Sequence, residues 1–285
     1  MTLNEVQQLV TTRLTGIYDT REAGNIADWV IEHLAGKKKI DRITNKQESL
    51  SEEKFFLLQQ YIDELLTHKP VQYVLNEAWF CGMKFFVNEH VLIPRPETEE
   101  LVEEVRSKKY EAGSTILDVG TGSGCIAVAI KKKLPQCEVY ACDVSEQALE
   151  VAKQNASTQQ TAVQFLQLDF LDTNDWERLP GVDIIVSNPP YIPQQDKGSM
   201  HKNVLDYEPH LALFVENDDP LLFYRAIADF ALQKLHSGGS IYAEIHEDLG
   251  ERTKALFVEQ GFLSVEIKKD MQGKDRIVTA TAPVR

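Results

Sequence analysis

Apolar residues recur every three or four positions at the start of the chain, at Leu3, Val6, Leu9, Val10, Leu14 and Ile17, then at Ile26, Trp29, Val30 and Leu34. That spacing predicts helices, each with one apolar face. Gly24 and Gly36 read as turns, and Ser49 with Glu52 reads as a capping box opening a further helix that carries Phe55, Leu58, Ile62, Leu65 and Leu66. This helix must stop before Pro70. Three or four short helices make a small bundle, better suited to presenting a recognition surface than to holding catalytic chemistry. Residues 1–70 are therefore expected to form an all-α, partner-binding domain. From Val71 to Ile93 the pattern changes to short aromatic and β-branched runs, Trp79-Phe80 and Lys84-Phe85-Phe86-Val87, on either side of Cys81-Gly82. A β-hairpin linker is expected over 71–95. Pro94-Arg95-Pro96 closes it and Glu97-Thr98-Glu99-Glu100 starts a helix, with acidic residues where the helix dipole favours them. Over 96–285, strand-length apolar runs at 114–119, 137–142, 162–168, 182–187, 240–245, 263–268 and 276–280 are interleaved with helical stretches at 124–134, 145–156 and 219–236. Such alternation predicts an α/β domain whose parallel sheet is covered by helices on both faces. Residues 192–218 are polar and aperiodic, the one long irregular segment, as expected of an active-site lid.

Composition narrows the function classes. The 285 residues carry a net charge of −14 and contain no basic arm, which argues against phosphate-backbone binding as the main source of affinity and predicts no direct nucleic-acid partner. No apolar run approaches the roughly 18 residues that a bilayer requires. The N-terminal segment has neither a basic region nor an apolar signal core, so a cytoplasmic location is expected. Four cysteines without a CxxC pair read as buried free thiols, and seven scattered histidines show no metal-ligand spacing. A metal-free mechanism is expected.

The candidate chemistry begins where the strand Thr115-Ile116-Leu117-Asp118-Val119 runs into Gly120-Thr121-Gly122-Ser123-Gly124 and then a helix. Strand, glycine loop and helix together suit a nucleotide: glycine permits tight turns and close approach to backbone, and a helix N-terminus offers unpaired N–H groups. Asp143, ending the next strand, is placed to accept hydrogen bonds from ribose hydroxyls. Phe170, after the third strand, is a candidate to flank adenine or, equally, a core residue. NAD and S-adenosylmethionine both fit these features.

Asn188-Pro189-Pro190-Tyr191 follows the apolar run 182–187, so a rigid polar turn stands where a buried parallel strand leaves its sheet. Two prolines remove two backbone donors, leaving the Asn188 carboxamide and the Pro189 carbonyl as acceptors for an incoming amino group. A nicotinamide oxidoreductase has no use for such a turn, which offers no proton- or hydride-transfer group. A methyltransferase acting on a nucleic-acid amino group could use it on a flipped base, though the charge balance disfavours this. A non-catalytic adaptor built on the helical bundle is the third alternative.

With these elements combined, the domain resembles a class I S-adenosylmethionine-dependent methyltransferase. The finer resemblance, across nearly the whole chain, is to the HemK/PrmC family of glutamine N5-methyltransferases. It is carried by Pro70-Val71-Gln72-Tyr73, Leu92 to Glu99, Asp118 to Ala127, Asn188 to Pro193, Tyr207-Glu208-Pro209 and Asp275-Arg276. The resemblance implies a small all-α N-terminal domain, a β-hairpin linker and, over 96–285, an α/β catalytic domain with a Rossmann-like, seven-stranded, mostly parallel sheet. It also implies S-adenosylmethionine as cofactor and, as partners, class-1 peptide-chain release factors, methylated on the glutamine of their Gly-Gly-Gln loop. Carried residue by residue, Gly120, Thr121, Gly122, Ser123, Gly124, Asp143, Phe170 and Asn188 would hold the cofactor, and Asn188, Pro189, Pro190 and Tyr191 would bind and orient the glutamine. A related family that methylates a ribosomal-protein glutamine is an alternative. The chain departs from the pattern at His246 and Leu249, where the family has Gly and Gln, and at Val215 to Asp219, where it has a Gly-rich stretch.

Overall fold

The computed structural model describes residues 1–44, 48–216 and 219–283. The chain forms two compact units, one of Met1–Glu77 with His201–Tyr207 and one of Ala78–Met200 with Glu208–Arg285.

In the first unit, α1 (Leu3–Leu14) opens on a capping box in which Thr2 and Glu5 satisfy each other's backbone N–H, and it buries Leu3, Val6, Val10 and Leu14. Helix α2 (Thr20–Ala35) is capped by Asp19 and ends at Gly36, whose φ of 67° supplies the left-handed C-terminal turn. Gly24, expected at a turn, lies inside α2, because Asp19 already starts the helix and its N-terminal side needs no glycine. Trp29, expected on the buried face, is 46% exposed. A short α3 (Lys39–Thr44) precedes α4 (Glu52–Leu65). The cap of α4 is Ser51, not Ser49; Ser49 instead pairs with Thr2 in an isolated antiparallel bridge. Val71 onward, expected to open the hairpin segment, first forms one more helix, α5 (Val71–Leu75). Tyr207, from the segment expected to be a lid, belongs to this unit through its hydroxyl, which donates to the Thr67 carbonyl at 2.8 Å.

The second unit begins with the hairpin β1 (Ala78–Phe80) and β2 (Met83–Phe85), turned by Cys81 and Gly82, both at positive φ. Phe80 and Phe85 pack edge to face with centroids 6.1 Å apart. There follow α6 (Pro96–Arg106), β3 (Thr115–Val119), α7 (Cys125–Lys133), β4 (Glu138–Asp143), α8 (Glu146–Thr158), β5 (Val163–Gln167) and β6 (Val182–Ser187). Two-residue strands β7 (Ile192–Pro193) and β8 (Phe214–Val215) pair in parallel and pin both ends of the irregular segment, within which lies the single-turn α9 (Lys202–Leu205). Asn217 and Asp218, part of the departure noted above, lie outside the described residues. Last come α10 (Leu222–Lys234), β9 (Leu235–Glu244), α11 (Gly250–Glu259), β10 (Leu263–Lys269) and β11 (Asp275–Thr281).

Seven strands form one sheet in the order β10-β11-β9-β6-β3-β4-β5, and only β11 runs against its neighbours. Period-two alternation assigns its two faces. Ile116, Ile184 and Val186 join α6 and α7 in one core, whereas Leu117, Val119 and Ile185 join Ile227 and Phe230 of α10 and Phe257 of α11 in the other. Both faces being covered explains why β3 and β6 are apolar on both faces, at Ile116, Leu117 and Val119 and at Val182, Ile184, Ile185 and Val186. Among the described residues, no helix is long and apolar enough to cross a membrane.

Candidate active site

From β3 the chain adds β4 and β5 on one side of it, then places β6 on the other. Loops leaving β3 and β6 therefore diverge to opposite sides of the sheet and open a crevice at the strands' carboxyl ends, the general ligand position in open α/β sheets. A cleft of about 270 Å³ lies there, lined by Gly120 to Ser123, Asp143, Phe170 and Asn188 to Pro190, and also by Arg95 and Thr98. Gly124 and Tyr191 are not among its lining residues. A separate groove of about 560 Å³ on the helical unit, lined by Glu22, Trp29 and Glu32 among others, holds none of the residues expected to do chemistry.

The loop after β3 is shaped by positive φ at Gly120 (72°), Gly122 (53°) and Gly124 (78°). A Cβ at Gly120 or Gly122 would meet nothing within 4 Å, whereas one at Gly124 would stand 3.0 Å from the Ala152 Cβ of α8. The first two glycines thus keep backbone open and the third lets α7 start close against α8. Gly120 and Thr121 donate their N–H groups to the Cys142 carbonyl, tying the loop to the end of β4. Asp143 Oδ2 accepts from Gly122 N at 2.8 Å and Oδ1 from Ser145 N at 3.0 Å. Burial raises the Asp143 carboxyl above its ordinary range against these hydrogen bonds, which lower it.

Beneath the loop, Asp118 is fully buried. Its Oδ2 accepts from Thr121 Oγ1 at 2.6 Å and Ala127 N at 3.2 Å, while Oδ1 has no protein partner. Burial pushes this carboxyl up to about 7. Asn155 of α8, absent from the residues singled out in the sequence, braces the same loop by donating to the Ser123 carbonyl at 2.9 Å and exchanging two hydrogen bonds with the Phe86 backbone. Phe170 combines both readings offered for it: it lines the cleft yet is only 5% exposed, with its ring 5.3 Å from that of Phe230.

At the end of β6, the Ser187 hydroxyl donates to the Val119 carbonyl at 2.8 Å, fastening the two loop origins together. Asn188 Nδ2 donates to Thr98 Oγ1 at 3.1 Å, and Thr98 Oγ1 donates to Glu244 Oε2 at 2.7 Å. Tyr191 is turned to the same carboxylate, its hydroxyl donating to Glu244 Oε1 at 3.4 Å, and its ring lies 6.0 Å from that of His246. His246 is thus a neighbour of the tetrapeptide, and Leu249 is buried in the core. Burial pushes Glu244 up to about 7, opposed by the Thr98 hydrogen bond and by Arg276. Arg95 pairs with the buried Glu208, while Glu99 points away to accept from Cys81 N at 2.9 Å. Thr98 and Glu244 were not singled out as site residues; the available signal was a carboxylate embedded in the apolar run Ile241-Tyr242-Ala243-Glu244-Ile245.

The fold and this cleft define a methyltransferase. Residues 96–207 match the methyltransferase small domain model, and a methyltransferase from Pyrococcus furiosus shares the fold, with a TM-score of 0.51 and 18% identity over 79% of this chain and 100% of that one. Residues 5–75 match the PrmC N-terminal domain model. The release factor glutamine methyltransferase of Flavobacterium psychrophilum is 41% identical over 93% of this chain and 94% of its own length. That of Bacteroides thetaiotaomicron is 39% identical over 98% and 99%. The chain belongs to the release factor glutamine methyltransferase family.

Proposed function

We propose that this protein transfers a methyl group from S-adenosylmethionine to the side-chain nitrogen of the glutamine in the Gly-Gly-Gln loop of class-1 peptide-chain release factors. The observation that carries the reading is the meeting, in one cleft, of a glycine loop beside a strand-end carboxylate with a turn that offers acceptors. Gly120 to Gly124, Asp143 and Phe170 would hold the cofactor. The fit rests on the open backbone at Gly120 and Gly122, the Asp118 Oδ1 left without a partner under the loop, and an aromatic wall at Phe170. When bound, S-adenosylmethionine supplies an electrophilic methyl on a sulfonium.

A carboxamide nitrogen is a poor nucleophile because its lone pair is delocalised into the carbonyl, so orientation is the larger part of the task. Asn188 Oδ1 and the Pro189 carbonyl each accept one N–H of the glutamine amide, drawing density onto nitrogen and fixing its direction of approach. Pro190 keeps that turn rigid and free of a competing donor. Tyr191, held at Glu244, anchors the turn from behind. The low-dielectric cleft would favour a transition state in which the positive charge spreads from sulfur over the methyl towards nitrogen; the methylated nitrogen then gives up one proton to water, leaving a neutral thioether and a neutral amide. The helical domain would bind the body of the release factor.

The test is to incubate the purified protein with S-adenosylmethionine and an unmodified class-1 release factor, with a ribosomal protein, duplex DNA and RNA as parallel acceptors, and to locate added methyl by mass spectrometry. Methyl on the Gly-Gly-Gln glutamine alone is expected. Label in nucleic acid or in the ribosomal protein instead would retain the methyltransferase and replace the substrate.

A further inference from the structure

We infer that Thr98 and Glu244 are positioning residues that hold the Asn188 carboxamide in one of its two flipped states, with its oxygen toward the substrate. The inference rests on the proposed role of Asn188 as acceptor. An asparagine side chain is nearly symmetric in shape, and a 180° rotation exchanges its acceptor for a donor. In the wrong state the NH2 group would face the N–H groups of the incoming amide, and the site would repel the group it must bind.

The chain of donors and acceptors removes that ambiguity. Thr98, in the first turn of α6, is 2% exposed, and Glu244, at the end of β9, is likewise 2% exposed. Above about pH 7, where Glu244 is ionised, its carboxylate only accepts, so the single Thr98 hydroxyl proton goes to Glu244 Oε2, 2.7 Å away. Thr98 Oγ1 is left with lone pairs only on the side of Asn188. At 3.1 Å it accepts from Nδ2 and would repel Oδ1. The carboxylate is itself fixed. Tyr191 donates to its other oxygen, and Tyr224 of α10 donates to the Glu244 backbone carbonyl at 2.9 Å. Once ionised, the buried Glu244 carboxylate thereby determines, through one hydroxyl, which atom of Asn188 faces the cleft.

Thr98→Val keeps the shape of the side chain and removes the relay, and Thr98→Ser restores the hydroxyl. For Thr98→Val assayed at pH 8, where Glu244 is ionised, the expectation is a fall in kcat of about tenfold, from loss of the orientation bias, with KM for the release factor and the dissociation constant for S-adenosylmethionine within about twofold of wild type. Thr98→Ser should recover most of the lost rate. A general packing defect would not be rescued by the smaller Ser. A substrate-free measurement runs beside the kinetics: in the wild-type protein, nuclear Overhauser contacts between the Asn188 side-chain NH2 protons and the Thr98 methyl are expected. A Thr98→Val enzyme with wild-type kcat, or an Asn188 NH2 lacking those contacts, would overturn the inference. Should the wild-type protein leave release factors unmethylated, the substrate reading fails, and the NH2 contacts still decide the relay.

Discussion

The loop leaving β3 and the turn leaving β6 start from neighbouring strands, joined by the Ser187 to Val119 hydrogen bond, and are built on opposite rules. Three glycines at positive φ give the first loop its open backbone; its N–H groups bind the Cys142 carbonyl and the Asp143 carboxylate, and its Thr121 hydroxyl binds Asp118. Two prolines strip the second of donors, and its one side-chain NH2 is already committed to Thr98. In the proposed function, one loop would present open backbone and flanking carboxylates to a hydroxyl-bearing, cationic cofactor, and the other would present acceptors to an amino group. The division of labour follows from the residue types alone, before any ligand is considered.

The largest effect should come from breaking the first loop at its closest contact. In Gly124→Ala the new Cβ meets both Cβ and Cα of Ala152, at 3.0 and 3.1 Å, and must also adopt φ near 78°. Left-handed strain and overpacking together should lower stability by about 2–4 kcal/mol in urea titration. Gly122→Ala, facing open space, carries only the conformational part, about 1 kcal/mol. Equal losses for the two would show that close packing is not what Gly124 provides. A smaller effect, on binding, is expected at the strand end: Asp143→Ala should weaken S-adenosylmethionine by about tenfold in calorimetry, the scale of a lost charged hydrogen bond. Unchanged affinity would remove Asp143 from the cofactor's contacts.

The smallest predicted effect concerns the carboxylate behind the second turn. Glu244 faces Thr98 and Glu97 of α6, Tyr191 after β6, Tyr224 of α10 and Arg276 of β11, and burial raises it from 4.5 to about 7. Between those values the unfolded chain is ionised while the folded chain retains the proton. This group's contribution to stability is therefore full below about 4.5 and is lost as pH rises through about 7. Glu244→Gln should consequently gain stability relative to wild type across that interval, read as urea midpoints at a series of pH values. A constant difference would mean that Glu244 titrates normally in the folded protein.

Much of this cleft was legible because its chemistry is local in sequence. The glycine loop, Asp143 and Asn188 to Tyr191 each sit at the end of a strand that announces itself as an apolar run, and strand ends of a parallel sheet share one edge. Residues acting at long range were not legible. Thr98 and Glu244 lie 146 residues apart and meet only because α6 packs against the sheet beside β9. Asn155 lies unmarked in the helical stretch 145–156, yet it is 1% exposed. In the helical unit, Trp29 has the right spacing for the core but falls at the edge of the apolar stripe. Ser49 and Ser51 are both plausible caps, and tertiary pairing with Thr2 decides between them. The aperiodic segment 192–218 gave no hint that His201–Tyr207 joins the helical unit.

The most direct test of the contrast between the two loops is the single-turnover rate of Asn188→Ala at saturating S-adenosylmethionine, measured together with its cofactor dissociation constant. Loss of the acceptor that orients the amide predicts a rate lowered by about 100-fold or more with cofactor affinity within about twofold of wild type. A wild-type rate, or a loss of cofactor affinity that accounts for the whole decline, would contradict the account.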